Sequence, residues 1–174
     1  MIKRFFIYFI SLSFFLITSV YSNSKIVYLD LDKILINSIA GKSITIKLNV
    51  LNKKNLDKFE NISKNLKKEE SKLIAQKKIM SEDNFKKEVI ELKNKIREYN
   101  EDSNKSTTEL NDKKVNATNQ LLQLLNPILM DYSKKNDISI ILNKRNILTG
   151  EKKLDITKTI LQIFDKNVKQ IDLK

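Results

Sequence analysis

The chain has 174 residues, of which 33 are Lys or Arg and 21 are Asp or Glu, and it contains no Cys, His or Trp. Cys and His supply most zinc ligands and many catalytic bases and nucleophiles, so their absence predicts a protein without catalytic residues, metal site or cofactor. Only two Gly and one Pro are present. So few turn-forming residues predict long uninterrupted elements and exclude the glycine-rich loops that bind nucleotide phosphates.

The net charge of +12 is carried almost entirely by Lys, because only Arg4, Arg97 and Arg145 are arginines. Proteins that read nucleic acids favour Arg for base edges and aromatic side chains for stacking. Aromatic residues make up only 7% of this chain. We therefore predict no specific nucleic-acid partner and interpret the lysines mainly as a solvated surface.

Residues 1–22 have the pattern of an export signal. Lys3 and Arg4 precede an apolar run, Phe5–Ile17, whose length fits the core of a signal peptide. The following residues suit a cleavage site before Asn23. The alternative is an uncleaved membrane anchor, which needs about 20 mostly apolar residues. We predict cleavage, which leaves a mature chain with a net charge of +10 because Lys3 and Arg4 are removed.

A short strand and a helix are predicted directly after the signal. Residues Ile26–Leu29 are β-branched, aromatic and aliphatic, as is typical of a strand. Asp32 is the predicted N-cap of a helix that carries Ile34. Gly41 and Lys42 then interrupt the apolar face of this helix. They do not form a phosphate-binding loop, because the upstream glycine of that motif is missing.

Residues 48–126 predict a long helical hairpin. Apolar side chains recur every three or four residues along one narrow stripe, which is the pattern of paired helices. Ser81 interrupts this stripe, and Glu82 and Asp83 behind it favour the start of a new helix. We therefore predict two antiparallel helices that meet at a turn near residues 80–84. Six positions of the seam are polar, which predicts loose packing: Asn52, Asn55, Glu69, Gln76, Ser103 and Ser106.

The second helix is predicted to continue past Pro127, which removes one backbone hydrogen bond and should kink the helix. Beyond it, Ile138–Leu142 and Ile147–Thr149 are rich in β-branched residues and predict two short strands. Either Asp155 or Thr157 is the predicted cap of a last helix. The apolar face of that helix comprises Ile160, Leu161, Ile163, Phe164 and Val168.

These elements predict an α+β fold, mostly helical, with a body and an arm. The body is discontinuous, since residues 23–47 and 127–174 flank the arm, residues 48–126. A body made of only these two segments is at the limit of what one hydrophobic core can stabilise. Its three predicted short strands also have free edges. We therefore predict that the body oligomerises, while composition and periodicity leave the number of subunits open. The predicted oligomerisation residues are Ile26, Tyr28, Ile138, Ile140, Leu142 and Ile147.

Three pairs of acidic residues are candidates for chemistry, and each has a simpler role. Asp30 and Asp32 follow a strand, where enzymes sometimes place acids, but capping the next helix accounts for them. The acidic pairs at residues 69–70 and 101–102 are interpreted as partners of nearby Lys side chains rather than as cation ligands. The prediction is therefore a protein that is not an enzyme.

Three motifs follow one another in a specific order along the mature chain. Ser-Ile-Ala-Gly-Lys at residues 38–42 comes after the first helix, and Leu-Asp-Ile-Thr at residues 154–157 comes before the last one. Between them, a hairpin rich in Lys and Glu leads into Asp-Ile-Ser-Ile-Ile-Leu at residues 137–142. In this order the chain resembles the Skp (OmpH) family of periplasmic chaperones. The resemblance implies a periplasmic homotrimer whose arms enclose a cavity that holds unfolded outer-membrane proteins without ATP.

The residues of the arm are consistent with such a holdase. A loose seam with scattered apolar and Lys side chains predicts that client binding is diffuse over residues 48–126, with no single site identified. The positive charge adds an anionic membrane or lipopolysaccharide surface as a further predicted partner, without a defined cluster of residues for it. The alternative is an exported coiled-coil scaffold of the cell envelope. A scaffold would favour a continuous apolar seam and a retained N-terminal anchor, whereas the seam is interrupted.

Overall fold

The structure, a computed structural model, describes residues 24–173, so the predicted signal peptide at residues 1–22 lies outside the described residues. The fold of the described residues is α+β and mostly helical, as predicted. Two short 3-10 turns precede the last helix. The elements in chain order are β1 (Lys25–Leu29), α1 (Leu31–Asn37), α2 (Ile39–Gln76), α3 (Glu82–Lys135), β2 (Ile138–Asn143) and α4 (Thr157–Asn167).

Helices α2 and α3 form the predicted antiparallel hairpin. They contain 38 and 54 residues, which corresponds to about 57 and 81 Å at 1.5 Å per residue. The turn between them spans residues 77–81 and ends at Ser81, the N-cap of α3. Glu82 and Asp83 lie in the first turn of α3, where their negative charge suits the positive helix N-terminus. Helix α3 continues through Pro127 without ending there.

Strands β1 and β2 form a two-stranded parallel sheet. The register pairs Ile26 with Ile140 and Tyr28 with Leu142. Parallel strands need a long crossover connection, and here the entire hairpin serves as that connection. The two strands therefore bring together residues that lie more than a hundred positions apart in sequence.

The prediction of a strand at Ile147–Thr149 is wrong. These residues follow a 3-10 turn, Lys144–Asn146, and belong to no strand. The Asn143 side chain accepts a hydrogen bond from the amide of Arg145 at 3.1 Å and starts this turn. The Arg145 guanidinium then pairs with the carboxylate of Asp32 in the first turn of α1. These contacts hold the segment after β2 against α1. Residues 147–149 therefore do not run alongside β2 as a further strand.

The sequence pattern predicts Asp32 as the N-cap of α1, and this prediction is wrong, because the N-cap is Asp30. The Asp30 carboxylate accepts a hydrogen bond from the amide of Lys33 at 2.9 Å. Asp32 lies two residues further along, in the first turn of α1, where it pairs with Arg145. Both aspartates precede the first buried residue of α1, so local sequence alone does not distinguish the two registers.

The hydrophobic core lies where the sheet, α1, α4 and the base of the hairpin meet. Ile34 of α1 and Ile160 and Phe164 of α4 are fully buried. The hairpin contributes the start of α2 and, from α3, Leu121 and Leu125, which are 3% and 1% exposed. The base of the arm is therefore part of the core of the body, which fixes the direction in which the arm leaves.

Between residues 24 and 173, no single helix is both long and apolar enough to cross a membrane. The bent pair of α1 and α2, which meet at 64°, qualifies by length and composition only.

Candidate interaction surfaces

The motif at residues 38–42 forms the joint between α1 and α2. Ser38 is fully buried and caps α2, because its hydroxyl oxygen accepts a hydrogen bond from the amide of Gly41 at 3.0 Å. A Cβ atom on Gly41 would lie only 1.8 Å from the carbonyl oxygen of Leu35. The glycine thus lets the end of α1 approach the start of α2. The motif has a structural role at this joint.

The motif at residues 154–157 connects the start of α4 to the end of β1. The Thr157 hydroxyl accepts a hydrogen bond from the amide of Asp30 at 2.8 Å. The amide of Ile156 donates to the carbonyl of Tyr28 at 2.9 Å. Through these bonds the segment before α4 continues the hydrogen bonding of β1 on the side opposite β2.

Asp155 stabilises this connection, although Ile156 occupies the N-cap position of α4. Its carboxylate accepts hydrogen bonds from both the hydroxyl and the amide of Thr157, the latter at 2.9 Å, and lies 3.7 Å from the ammonium group of Lys144. Burial alone would raise the pKa of Asp155, but the Thr157 hydrogen bonds and the Lys144 charge outweigh it and lower the pKa below its ordinary value. The carboxylate therefore serves as a fixed acceptor, which is a structural role.

The predicted oligomerisation residues of the sheet fall into two groups. Tyr28 and Ile138 are buried in the body, each 9% exposed. Ile26, Ile140 and Leu142 are exposed at 45%, 47% and 41%. Within residues 24–173, β2 pairs with β1 along one edge only, so its second edge has no strand beside it. The exposed side chains and the free edge lie on the same strand pair.

An apolar groove of about 340 Å³ lies beside strand β2. Leu31 of α1 and Met130 of α3, which is 71% exposed, contribute to it together with Leu142. We call Ile26, Met130, Ile140 and Leu142 the sheet-edge surface. The helical part of this groove is absent from the six predicted oligomerisation residues, all of which lie in predicted strands. Three consecutive apolar residues after Pro127 were the available signal, since one helix face cannot bury all of them.

Ile147, the sixth predicted oligomerisation residue, is half-buried and lies beyond the 3-10 turn that follows β2. It is therefore not part of a strand edge. The neighbouring Leu148 is the most exposed large apolar side chain among the described residues. An assembly through this segment would involve a loop rather than a third strand.

The middle of the arm contains a groove between α2 and α3, which we call the mid-arm groove. Its volume is about 670 Å³. It lies where the sequence predicted polar seam positions, and an edge-to-face pair of Phe59 and Tyr99 adjoins it, with ring centroids 5.9 Å apart. The residues that line it are Asn52, Asn55, Leu56, Phe59, Glu60, Tyr99, Ser103, Ser106, Thr107, Leu110 and Asn111.

A second, smaller groove of about 240 Å³ lies near the arm tip and is lined mostly by charged residues. Across it, the Lys95 ammonium donates a hydrogen bond to the Glu69 carboxylate at 2.9 Å, and this bond raises the pKa of Lys95. Glu69 thus pairs with the opposite helix rather than with a neighbour on its own. Glu101 lies 4.0 Å from Arg97 one turn away. Within the described part of the chain, no three carboxylates gather closely enough to hold a metal ion.

The arm also exposes large apolar side chains along its length. Their exposed fractions range from 38% to 84%. None of them belongs to the core cluster of the body. Examples in chain order, out along one helix and back along the other, are Leu56, Ile74, Ile79, Ile90 and Val115.

Comparison with known proteins identifies the family. Residues 25–164 match the model of the family described as outer membrane protein (OmpH-like). Since this match spans more than half of the chain, the chain belongs to the OmpH-like family, which confirms the resemblance to Skp (OmpH) inferred from the sequence. No curated protein matches the chain.

The fold is similar to a crystal structure of a candidate outer membrane chaperone (OmpH-like) from Caulobacter crescentus CB15, with a TM-score of 0.79. The two proteins share 16% sequence identity, and the alignment covers 86% of this chain and 88% of that one. At this level of identity the similarity concerns the fold.

Proposed function

We propose that the chain is a holdase chaperone of the periplasm, which binds unfolded outer-membrane proteins and prevents their aggregation without ATP. The observation that carries this proposal is the arm, a long hairpin with a loose polar seam and apolar side chains exposed along its length. Such a surface suits weak contacts with many different unfolded sequences, spread over residues 48–126. The structural neighbour described as a candidate outer membrane chaperone has the same fold.

We further propose that residues 23–47 and 127–174 form a body that assembles as a homotrimer, so that three arms surround a common cavity. A free strand edge flanked by exposed apolar side chains is a surface that proteins normally cover. The sheet-edge surface supports self-association, and the family resemblance supplies the number three. The arms, residues 48–126, would then be the client-binding part.

Native mass measurement of the mature protein tests the assembly, and a trimer is expected. Ile140→Asp should dissociate it, because assembly would bury an unpaired carboxylate. Ile74→Asp is the matched control, since Ile74 is 66% exposed on the arm and outside the sheet edge, and it should leave the mass unchanged. A stable monomer of the unmutated chain would refute the assembly.

The client function is tested by light scattering with a urea-unfolded outer-membrane barrel protein diluted into buffer without nucleotide. A holdase forms a soluble complex of defined mass and suppresses the scattering of the aggregating client. If the protein keeps its mass and the client aggregates at the same rate as alone, the chain is better explained as a coiled-coil scaffold of the envelope.

Export and surface binding are separate parts of the proposal. A cleaved signal predicts that the protein isolated from the periplasm begins at Asn23, which N-terminal sequencing checks. The net charge of +10 expected for the mature chain favours binding to an anionic membrane or lipopolysaccharide surface. Flotation with anionic and with neutral vesicles, and with lipopolysaccharide, distinguishes these surfaces.

A further inference from the structure

We propose that the mid-arm groove binds a short extended segment of an unfolded polypeptide, whose apolar side chains contact the groove and whose backbone bonds to its polar side chains. The inference rests on the proposed function, because it specifies how a client contacts the arm. It adds a preferred site to what is otherwise a diffuse surface. The proposal concerns this one stretch of the hairpin and no other groove.

The chemistry of the lining matches a polypeptide backbone. Seven of its eleven lining side chains carry an amide or a hydroxyl group, and Glu60 is its one acidic member. Amides and hydroxyls each offer donors and acceptors, as the backbone N–H and C=O groups of an extended chain require. Such partners pair with any sequence, because they contact the backbone and not a particular side chain.

These polar groups are not used to hold the two helices together. Within residues 24–173, the only side-chain hydrogen bond that joins α2 to α3 is that between Lys95 and Glu69, beyond the groove towards the tip. The Thr107 hydroxyl donates to the Ser103 carbonyl of its own helix. The amides of Asn52 and Asn55 and the hydroxyls of Ser103 and Ser106 thus face the groove with no partner on the opposite helix.

Apolar surface is available in the same groove. Tyr99 packs edge-to-face on Phe59, at an interplanar angle of 72°. Leu110 lines the groove on α3, and Leu56 lines it on α2 while remaining 61% exposed. A branched or aromatic side chain of a guest would find these residues within the groove, with the polar groups around it.

The dimensions fit a short segment. From Asn52 to Glu60 the groove follows α2 for about 12 Å at 1.5 Å per residue, which is the length of three to four residues of extended chain at about 3.3 Å each. The volume of about 670 Å³ lies within the range of known ligand sites.

A strand of an outer-membrane barrel has the pattern that this groove requires. Such strands alternate apolar and polar side chains, so in an extended conformation one face is apolar. That face would contact Leu56, Tyr99 and Leu110, while the polar face remains in water. The groove near the tip lacks this chemistry, because its lining includes Glu69, Lys72, Glu88, Glu91 and Lys95.

The probe is a synthetic peptide of about ten residues that alternates apolar and polar side chains like a barrel strand and carries a benzophenone at one apolar position. The control peptide has the same composition with its apolar residues in one block. With the full mature protein, we expect photo-crosslinks from the alternating peptide to concentrate in residues 52–60 and 99–111. Crosslinks spread evenly along the arm, or equal crosslinking by the control peptide, would overturn the proposal.

Filling the groove gives a second measurement. Ser106→Leu and Asn55→Leu place bulk in the seam, and each should weaken binding of the alternating peptide about tenfold, as for residues at the centre of a contact. Thr108→Leu is the matched control, because Thr108 is exposed on the same helix and its hydroxyl bonds to the Asn104 carbonyl outside the groove. Unchanged affinity in both filled variants would refute the site.

The two proposals fail in different ways. If the unmutated protein keeps an unfolded barrel protein soluble while both filled variants bind the peptide normally, the mid-arm groove is wrong and the holdase function stands. If the unmutated protein neither binds the peptide nor suppresses client aggregation, the holdase function and the groove are both wrong.

Discussion

For Gly41→Ala at the joint between α1 and α2, helix propensity and packing predict opposite changes in stability. Gly41 lies within the first turn of α2, and alanine is favoured over glycine inside a helix by about 1 kcal/mol. Propensity alone therefore predicts that Gly41→Ala stabilises the protein. The structure predicts the opposite, because the added Cβ would meet the carbonyl oxygen of Leu35 at 1.8 Å.

The size of the effect follows from this distance. Cβ atoms essentially never approach another heavy atom within 3.0 Å, so the two helices must separate by at least 1.2 Å, the difference between 3.0 and 1.8 Å. The obstacle is backbone and cannot rotate away as a side chain would. Overpacking of this kind costs about 1–3 kcal/mol, and disturbing the Ser38 cap adds about 1 kcal/mol. We expect a net loss of about 1–3 kcal/mol in the free energy of unfolding after the propensity gain.

Urea unfolding followed by circular dichroism measures this loss, at one fixed protein concentration because assembly contributes to stability. Lys42→Ala changes the next, exposed residue and should stay within about 0.5 kcal/mol of the parent. Gly150→Ala should cost less than Gly41→Ala, because its Cβ meets the side chain of Tyr28 at 2.8 Å, a longer distance than 1.8 Å and to a side chain rather than to backbone. A Gly41→Ala variant as stable as the parent, or more stable, would refute the reasoning.

Three further predictions concern pH, mobility and charge. Because the folded pKa of Asp155 is lowered, its hydrogen bonds stabilise the protein above the ordinary value of 3.8 and are lost as pH falls through the lower folded value. Asp155→Ala should therefore cost about 1–2 kcal/mol at pH 7 and progressively less below pH 3.8, whereas Asp172→Ala, with a side chain 90% exposed, should cost little at any pH. Amide exchange should be fastest at residues 77–85 and slow there when a client binds, and protection equal to that of the body would contradict this. Single Lys→Ala changes between residues 52 and 116 should weaken client binding only a few-fold, since exposed charge contacts are worth under about 1 kcal/mol. Neutralising six lysines should slow association and reduce its salt dependence, and loss of binding from one Lys→Ala change with the assembly intact would disprove diffuse capture.

The hairpin and its turn could be predicted because their causes are local. The apolar stripe repeats along each helix, and Ser81, Glu82 and Asp83 mark the new helix start within three residues. The strands at Ile26–Leu29 and Ile138–Leu142 were likewise predicted from β-branched runs. Their parallel pairing could not be predicted from these runs alone, since it depends on where the crossover returns the chain.

The errors arose where a tertiary contact decides the local structure. Ile147–Thr149 has the composition of a strand, but Arg145 is tied to Asp32, 113 residues away in sequence. The mid-arm groove was predicted only as loose packing at Asn52, Asn55, Ser103 and Ser106. The size and shape of this groove depend on the distance between the two helices. The residue pattern of either helix does not determine that distance.

Two of the three motifs that carry the resemblance, residues 38–42 and 154–157, act at the base of the arm, and geometry explains why the base needs such specific residues. Ser38 and Gly41 set the angle at which α2 leaves α1, and Asp165 of α4 accepts a further hydrogen bond from the amide of Ile39 at 2.7 Å. An arm of about 57 Å converts a 5° error at its base into a displacement of about 5 Å at its tip. In the proposed assembly, a cavity between several arms would require a joint without rotational freedom. The proposed client contacts, being weak and numerous, would let the arm surface vary. Ser38, Ala40 and Gly41 at the joint are accordingly small and buried, whereas the arm surface can be rich in Lys and Asn without altering where its tip lies.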